Sequence, residues 1–306
     1  MSIDVLYVTG ASGFVGSHLV AMVNEGVFGN CRLALASDGV DVRDFPALND
    51  EIARERPTHV IHLAARSFVP ASFAEPGETF DVNLTGTLNL IQALQANQFS
   101  GRMLYVSSGD VYGAVPESEL PVQESRQAEP RSPYGVSKVA SELLCRQYHY
   151  SAKLDVVVAR PFNHIGPGQS TQFVVPGLAE QVVRISEGAQ SPRIEVGDID
   201  ATRDFSDVRD VVRAYALLLA SGKSGEIYNV ASGREVRVRD IVQKLLVLAG
   251  VEAEIFQDPG RMRPSEQRRM VASSEKLRRD TGWQADIPLD TSLKQILETF
   301  RTKGTR

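Results

Sequence analysis

An apolar run rich in β-branched residues, Ile3-Asp4-Val5-Leu6-Tyr7-Val8, passes directly into Thr9-Gly10-Ala11-Ser12-Gly13-Phe14-Val15-Gly16 and then into a helical pattern. Val15, Leu19, Met22 and Val23 carry that pattern. A buried strand, a glycine turn and a helix in immediate succession constrain the fold more than any other stretch. The glycines stand at Gly10, Gly13 and Gly16, three residues apart. Glycine permits the tight turn, and it lets backbone approach a pyrophosphate and helix approach strand. The helix N-terminus then offers unpaired N–H groups and positive dipole to an anion. Ser12, Phe14 and Val15 complete this candidate cradle. A glycine-rich turn without a ligand is the alternative, and the strand before and helix after argue against it.

The rhythm repeats. Residues 31–36 read as a second strand, and Ser37 stands where NAD-preferring folds place a carboxylate on the ribose hydroxyls. Serine removes the repulsion of a 2′-phosphate, but no arginine follows at once, so the pattern leans to NADP and leaves NAD open. Asp41-Val42 offers an acceptor for an adenine amino group, and Asp44 suits the cap of a helix over 45–54. A third strand over 58–63 runs through His62, expected as a packed strand residue, into Leu63-Ala64-Ala65, whose small side chains suit a dinucleotide lying against them. Residues 80–97 read as one long helix containing Asn83, and 102–107 as a fourth strand ending in Ser107-Ser108-Gly109-Asp110. A fifth strand over 154–160 closes on Pro161-Phe162-Asn163.

Strand–helix repetition to about residue 162 means a doubly wound parallel α/β sheet of Rossmann type. The expected division is a dinucleotide-binding domain over 1–162, with 204–231 returning to it. A smaller α/β substrate-binding lid takes 163–203 and 232–306. Helices are expected over 173–186, 207–219, 236–248 and 293–300, and strands over 193–196, 225–230 and 252–256.

Strand ends of an open parallel sheet are where ligands sit. Beyond the fourth strand comes Ser132-Pro133-Tyr134-Gly135-Val136-Ser137-Lys138, opening a helix. Tyr134 and Lys138 are four residues apart and share a face. An ammonium beside a phenol lowers its pKa from about 10, which would make Tyr134 a proton donor and acceptor near neutral pH. An ordinary surface tyrosine and a solvated lysine fit the same spacing. Ser108 is the candidate partner of a substrate oxygen, or simply a turn-forming serine.

Composition excludes several classes. The chain of 306 residues is 42% hydrophobic and 23% charged, with net charge -5. That is ordinary for a globular enzyme and gives no nucleic-acid surface. No apolar run approaches the roughly 20 residues of a membrane span. The N-terminus has no signal-peptide pattern, and Cys31 and Cys145 have no metal-type spacing, so a cytoplasmic protein without a metal is expected. Arginine clusters late, at Arg261, Arg263, Arg268 and Arg269, which suits a phosphate-bearing small molecule.

Together, Gly10/Gly13/Gly16, Asp41-Val42, His62-Leu63-Ala64-Ala65, Ser108 and Tyr134/Lys138 resemble the extended short-chain dehydrogenase/reductase family. This is the nucleotide-sugar epimerase, dehydratase and reductase group. Asn83-Leu84-Thr85-Gly86-Thr87, Arg203-Asp204-Phe205-Ser206-Asp207-Val208 and Arg263-Pro264-Ser265-Glu266 extend the resemblance over the whole chain. Within the family, the stretches from Ser108 to Gly113 and from Arg160 to Gln169 look most like the GDP-4-keto-6-deoxy-D-mannose reductases.

That resemblance implies NAD(P)H-dependent reduction of a C4 ketone to GDP-D-rhamnose, in cell-surface polysaccharide synthesis. Tyr134 would be the acid, Lys138 its tuner and ribose anchor, and Ser108 the carbonyl partner. Asn163, Phe173, Val174, Arg203, Arg263 and Glu266 would hold the sugar nucleotide, the arginines near the diphosphate and Glu266 at a ribose. Gly10, Ser12, Gly13, Phe14, Val15, Gly16, Ser37, Asp41, Val42, Leu63, Ala64, Ala65, Asn83, Tyr134, Lys138, Pro161 and Phe162 would line the cofactor. The 4,6-dehydratases carry an acidic residue, usually glutamate, where Asp110 stands. The shorter arm leaves its carboxylate about 1.5 Å further back, enough to cost much of the rate. A reductase is therefore expected, with a dehydratase or epimerase as alternative and a non-catalytic dinucleotide sensor as the reading from another class. The resemblance and the apolar faces of 80–97 and 133–150 imply a homodimer through a four-helix interface.

Overall fold

The computed structural model describes residues 3–36, 40–261 and 267–303. Among the described residues the strands are β1 (Val5–Thr9), β2 (Arg32–Leu35), β3 (His59–His62), β4 (Arg102–Val106), β5 (Asp155–Pro161), β6 (Asn163–Ile165), β7 (Arg193–Val196), β8 (Thr202–Asp207), β9 (Ile227–Val230), β10 (Glu235–Arg237) and β11 (Glu254–Gln257). The α-helices are α1 (Phe14–Asn24), α2 (Phe45–Glu55), α3 (Val69–Ala74), α4 (Pro76–Phe80), α5 (Gly86–Ala96), α6 (Pro133–Ala152), α7 (Val174–Ser186), α8 (Val208–Ser221), α9 (Val238–Ala249), α10 (Glu275–Thr281) and α11 (Leu289–Lys303).

The main sheet has the order β2-β1-β3-β4-β5-β9, and every neighbouring pair is parallel. Its central strands are apolar on both faces because helices cover both. On one face Leu6, Val8, Leu104 and Val157 pack with α1 and α8 through Leu19, Val211 and Tyr215. On the other, Tyr7, Val60, Met103 and Val156 pack with α2, α5 and α6 through Leu48, Leu90 and Cys145. Strand β9 adds to the sheet beside β5, as its sequence suggested, with Ile227 opposite Val158.

A separate apolar cluster joins α7, α9 and α11 through Val182, Ile241 and Leu293. Two small sheets, β10-β8-β6 and β11-β7, sit with it. The expected strand over 252–256 and helix over 236–248 are present, and a three-residue strand, β10, precedes the helix.

One expectation fails. The single helix over 80–97 is α4, then a π-helical turn Asp81–Thr85, then α5. Periodicity alone could not show this, because Phe80, Leu84 and Leu88, before, within and after the turn, are half-buried alike and read as one unbroken helical pattern.

Candidate active site

The loop from β1 to α1 is built by close approach. Gly10 has φ +74°, and a Cβ there would lie 2.6 Å from the amide nitrogen of Ala64. One on Gly16 would lie 2.5 Å from the carbonyl oxygens of Gly10 and Ala11. Gly13 is the N-cap of α1, has no side-chain cap, and is followed by no acidic residue in the first turn. The first amides of α1 therefore lack intrahelical acceptors, and nothing anionic competes for them. Ser12 and Gly13 are exposed at this mouth, whereas Val15 packs into the core. Phe14 stacks on His164 with ring centroids 6.0 Å apart, which ties the loop to the stretch after β5. These features fit a dinucleotide diphosphate.

Other expected cofactor residues divide. Leu63, Ala64 and Ala65 leave β3 half-buried beside this loop. Asp41 is held by Arg43, whose Nε donates to both carboxylate oxygens at 3.0 Å. That pairing holds the Asp41 carboxyl below its usual range. Val42 is buried, and its carbonyl accepts from the Asn89 side chain at 3.0 Å. Asn83 is buried and bonded to the chain itself: it accepts from Arg66 N at 2.8 Å and donates to Ser137 Oγ at 2.9 Å. The structure thus gives Asn83 a supporting place under α6. Ser37 lies outside the described residues.

Helix α6 begins as a supported platform. Ser132 accepts from Gly135 N at 3.0 Å, and Pro133 occupies the first turn. Tyr134 and Lys138 follow on one face, both buried. Lys138 Nζ donates to the Val106 carbonyl at the end of β4 (2.8 Å) and lies 5.9 Å from the Tyr134 ring centroid. Ser108, two residues beyond β4, accepts from Asp110 N at 3.1 Å and caps a short 3-10 turn. Its hydroxyl lies near enough to the Tyr134 phenol to ease that phenol's ionisation.

The electrostatics correct the expectation for Tyr134. Burial pushes its pKa up, the Asp110 carboxylate pushes the same way, and only the Ser108 hydroxyl opposes them. Lys138 is itself pushed down to about 8 by burial. A phenol in this setting keeps its proton, so Tyr134 is set up as a donor rather than as a phenolate base. The spacing correctly put ring and ammonium together, but the cost of burying an anion was not visible in it.

Residues from the end of β5 onward approach the same strand ends. Pro161 ends β5, and Phe162 packs against Tyr112 with centroids 6.0 Å apart. A side chain on Gly109 would press that Phe162 ring at 3.0 Å. Asn163 is exposed at the start of β6. Phe173 caps α7, is partly exposed beside Val174, and meets Phe68 edge-on at 6.0 Å. Arg203 on β8 donates to the Thr202 carbonyl at 2.7 Å, and Asp110 is the first of the carboxylates acting on its charge. Ser108, Asp110, Tyr134, Lys138 and Arg203 are thus gathered at one end of the sheet. Arg263 and Glu266 lie outside the described residues. Arg269, from the late arginine cluster, is bound to Glu235 and Glu117, so its charge is already matched.

Sequence reasoning missed the buried ion pair beneath the site. Arg160 grips Glu142 with two parallel bonds of 2.8 and 2.6 Å, and Ser107 Oγ donates to the same carboxylate at 2.5 Å. Glu142 is four residues past Lys138, a spacing that could have found it; Arg160 gives no local signal. Among the described residues no group of His, Cys, Asp and Glu could hold a metal ion, and no helix is long and apolar enough to cross a membrane.

A parallel doubly wound sheet with this glycine loop, and Ser, Tyr and Lys at the ends of its strands, defines a short-chain dehydrogenase/reductase of the extended type. The chain belongs to the family described as GDP-mannose 4,6 dehydratase, whose family model matches residues 28–296. It is 47% identical over 298 residues to the GDP-6-deoxy-D-mannose reductase of Pseudomonas aeruginosa, covering 97% of each chain. The solved structure of RMD from Pseudomonas aeruginosa complexed with NADPH matches with TM-score 0.92 and 46% identity, covering 98% of this chain and 99% of that one. The UDP-glucose 4-epimerase of Thermus thermophilus in complex with NAD matches at 0.85 and 31%, covering 97% and 99%.

Proposed function

We propose that this chain is an NAD(P)H-dependent reductase of a 4-keto-6-deoxy nucleotide sugar, converting GDP-4-keto-6-deoxy-D-mannose to GDP-D-rhamnose. NADPH is the favoured reductant. The observation that carries the reading is a buried Tyr134 near Ser108, with Lys138 one helical turn behind and fixed against the Val106 carbonyl. When bound, the reduced nicotinamide supplies hydride to the carbonyl carbon. As charge develops on the oxygen, Ser108 donates a hydrogen bond to it and Tyr134 hands over its proton. Lys138 contributes a positive charge fixed against the Val106 carbonyl.

The first amides of α1 would hold the cofactor diphosphate, between the Gly10 turn and Ala64. Arg203 would face the sugar-nucleotide diphosphate, where a guanidinium fork donates two bonds at once. Asn163, Phe173 and Val174 would line the nucleotide side. We read residues 1–162 with 204–231 as the dinucleotide-binding domain, and 163–203 with 232–306 as the substrate-binding domain. The expected setting is the cytoplasm, and the expected assembly is a homodimer through α5 and α6. Val136 and Leu143 support this pairing: they are exposed on α6, seven residues apart and so on one stripe.

Two assays on one preparation test the function. With the 4-keto sugar nucleotide, NADPH absorbance should fall in step with product. With GDP-mannose alone, nothing should be consumed. Conversion of GDP-mannose without net loss of NADPH would establish the dehydratase reading of Asp110 instead, and no turnover in either assay would favour the sensor.

A further inference from the structure

His62 ends β3 with both ring nitrogens engaged deep in the protein. Nδ1 is 2.7 Å from Thr9 Oγ1, and Nε2 is 3.0 Å from Thr87 Oγ1. All three side chains are buried. The donors can be assigned around the ring. Thr87 has one hydroxyl hydrogen, and its 2.6 Å bond to the Asn83 carbonyl uses it. Thr87 must therefore accept from His62 Nε2–H. A neutral imidazole then has an acceptor at Nδ1, so Thr9 Oγ1 donates there. Thr9 Oγ1 in turn accepts from Ala64 N at 3.3 Å. The chain runs one way, from Ala64 N–H through Thr9 and His62 to Thr87 and the Asn83 carbonyl, with every group satisfied.

Each end of this chain reaches a different part of the site. Thr9 immediately precedes Gly10, and its carbonyl accepts from Leu63 N at 3.1 Å, so the Thr9 end fixes the glycine turn against the Leu63–Ala64 backbone. The other end is the π-helical turn. The Asn83 carbonyl also accepts from Ser141 Oγ at 2.9 Å, and the Asn83 carboxamide donates to Ser137 Oγ. Ser137 Oγ donates to the Tyr134 carbonyl at 2.7 Å. One imidazole therefore joins the nucleotide loop to the first turns of α6, where Tyr134 and Lys138 stand.

We propose that His62, as the neutral Nε2–H tautomer, is a positioning residue that sets the catalytic helix relative to the nucleotide-binding loop. Its two nitrogens have separable effects: the Nε2 bond sets Tyr134 and Lys138, and the Nδ1 bond sets the Gly10 turn. Burial and the nearby Lys138 ammonium push the His62 pKa down to about 3, so the ring stays neutral throughout the working range.

The kinetic part of this inference rests on the reductase reading, whereas its binding part does not. Asn places a carboxamide oxygen where Nδ1 stands, and Gln places an amide nitrogen where Nε2 stands. His62→Phe keeps the ring and loses both bonds. It should lower kcat about 30-fold, with the KM for the sugar nucleotide changed less than about twofold, the pattern of lost alignment. His62→Gln should restore kcat to within about threefold of wild type while NADPH binding stays weakened about tenfold. His62→Asn should do the reverse, keeping wild-type NADPH affinity with low kcat. NADPH affinity is read by fluorescence titration without substrate. Should His62→Phe fail to fold, the opposed effects of Gln and Asn still decide. Equal kcat and equal NADPH affinity in the Gln and Asn variants would overturn the proposal. If the wild-type enzyme fails to reduce the keto sugar, the reductase reading fails. The Gln and Asn titrations then decide alone: weakened binding in Gln only supports the tether, and equal affinities overturn it.

Discussion

Two helices start beside the candidate site, and they start differently. Helix α1 opens on Gly13, with no side-chain cap and no acidic residue in its first turn. Helix α6 opens on Ser132, whose hydroxyl accepts from Gly135 N, with Pro133 behind it. The bare end leaves its amides for a ligand, and the capped end meets its own needs so that its side chains can be held still. A helix N-terminus thus occurs twice in one site, once bare, which we read as an anion cradle, and once capped as a mount. The sequence marks the difference, glycine in one place and Ser-Pro in the other.

The heaviest blow to the bare end is Gly10→Ala. Its Cβ would meet Ala64 N at 2.6 Å, at a φ of +74°. The expected cost is about 2–4 kcal/mol of stability, read by denaturant unfolding, with NADPH binding lost. Gly13→Asp is a cleaner test, because a Cβ there meets only the Gly10 carbonyl oxygen, at 3.3 Å. It would give α1 a capping carboxylate, so stability should hold or rise by a few tenths of a kcal/mol. The same carboxylate faces the incoming diphosphate, and NADPH affinity should fall about 30-fold in a fluorescence titration. Unchanged affinity would mean that the bare end is not the cradle.

At the capped end, pH separates the two side chains. Tyr134 holds its proton because its pKa is raised, so it adds no limb near neutrality. Lys138 is charged below about 8 and loses its charge above it. The kcat should therefore be flat below that point and fall about tenfold for each pH unit above it. Lys138→Met should remove that falling limb. The smallest effect belongs to the cap itself. Ser132→Ala should cost about 1 kcal/mol, seen as a drop of a few degrees in Tm, with the KM for NADPH unchanged.

What could be read beforehand follows the same division. The β1–Gly10–α1 unit and the Tyr134/Lys138 pair are local patterns, because their partners lie within a turn or two in the chain. The doubly wound parallel sheet followed from strand–helix repetition, and β9 lies in it beside β5 where residues 225–230 were expected to return; the strand order itself came only with the structure. The π-helical turn was invisible, since one extra residue in a helix leaves the apolar pattern nearly intact. Arg160 on Glu142 and Thr9 on His62 join residues far apart in the chain, and single-sequence periodicity carries no such pairing. The direction of the Tyr134 shift was also hidden. Residue spacing reports who can meet, but how much water is removed depends on everything packed around the meeting place.

On the proposed mechanism the Tyr134 phenol, whose pKa burial raises, gives its hydrogen to the carbonyl oxygen as the ketone is reduced. Tyr134→Phe removes that hydrogen and keeps the ring. With GDP-4-keto-6-deoxy-D-mannose and NADPH, kcat should fall by about 100-fold or more while NADPH affinity stays near wild type. Turnover at the wild-type rate in that variant would contradict the account.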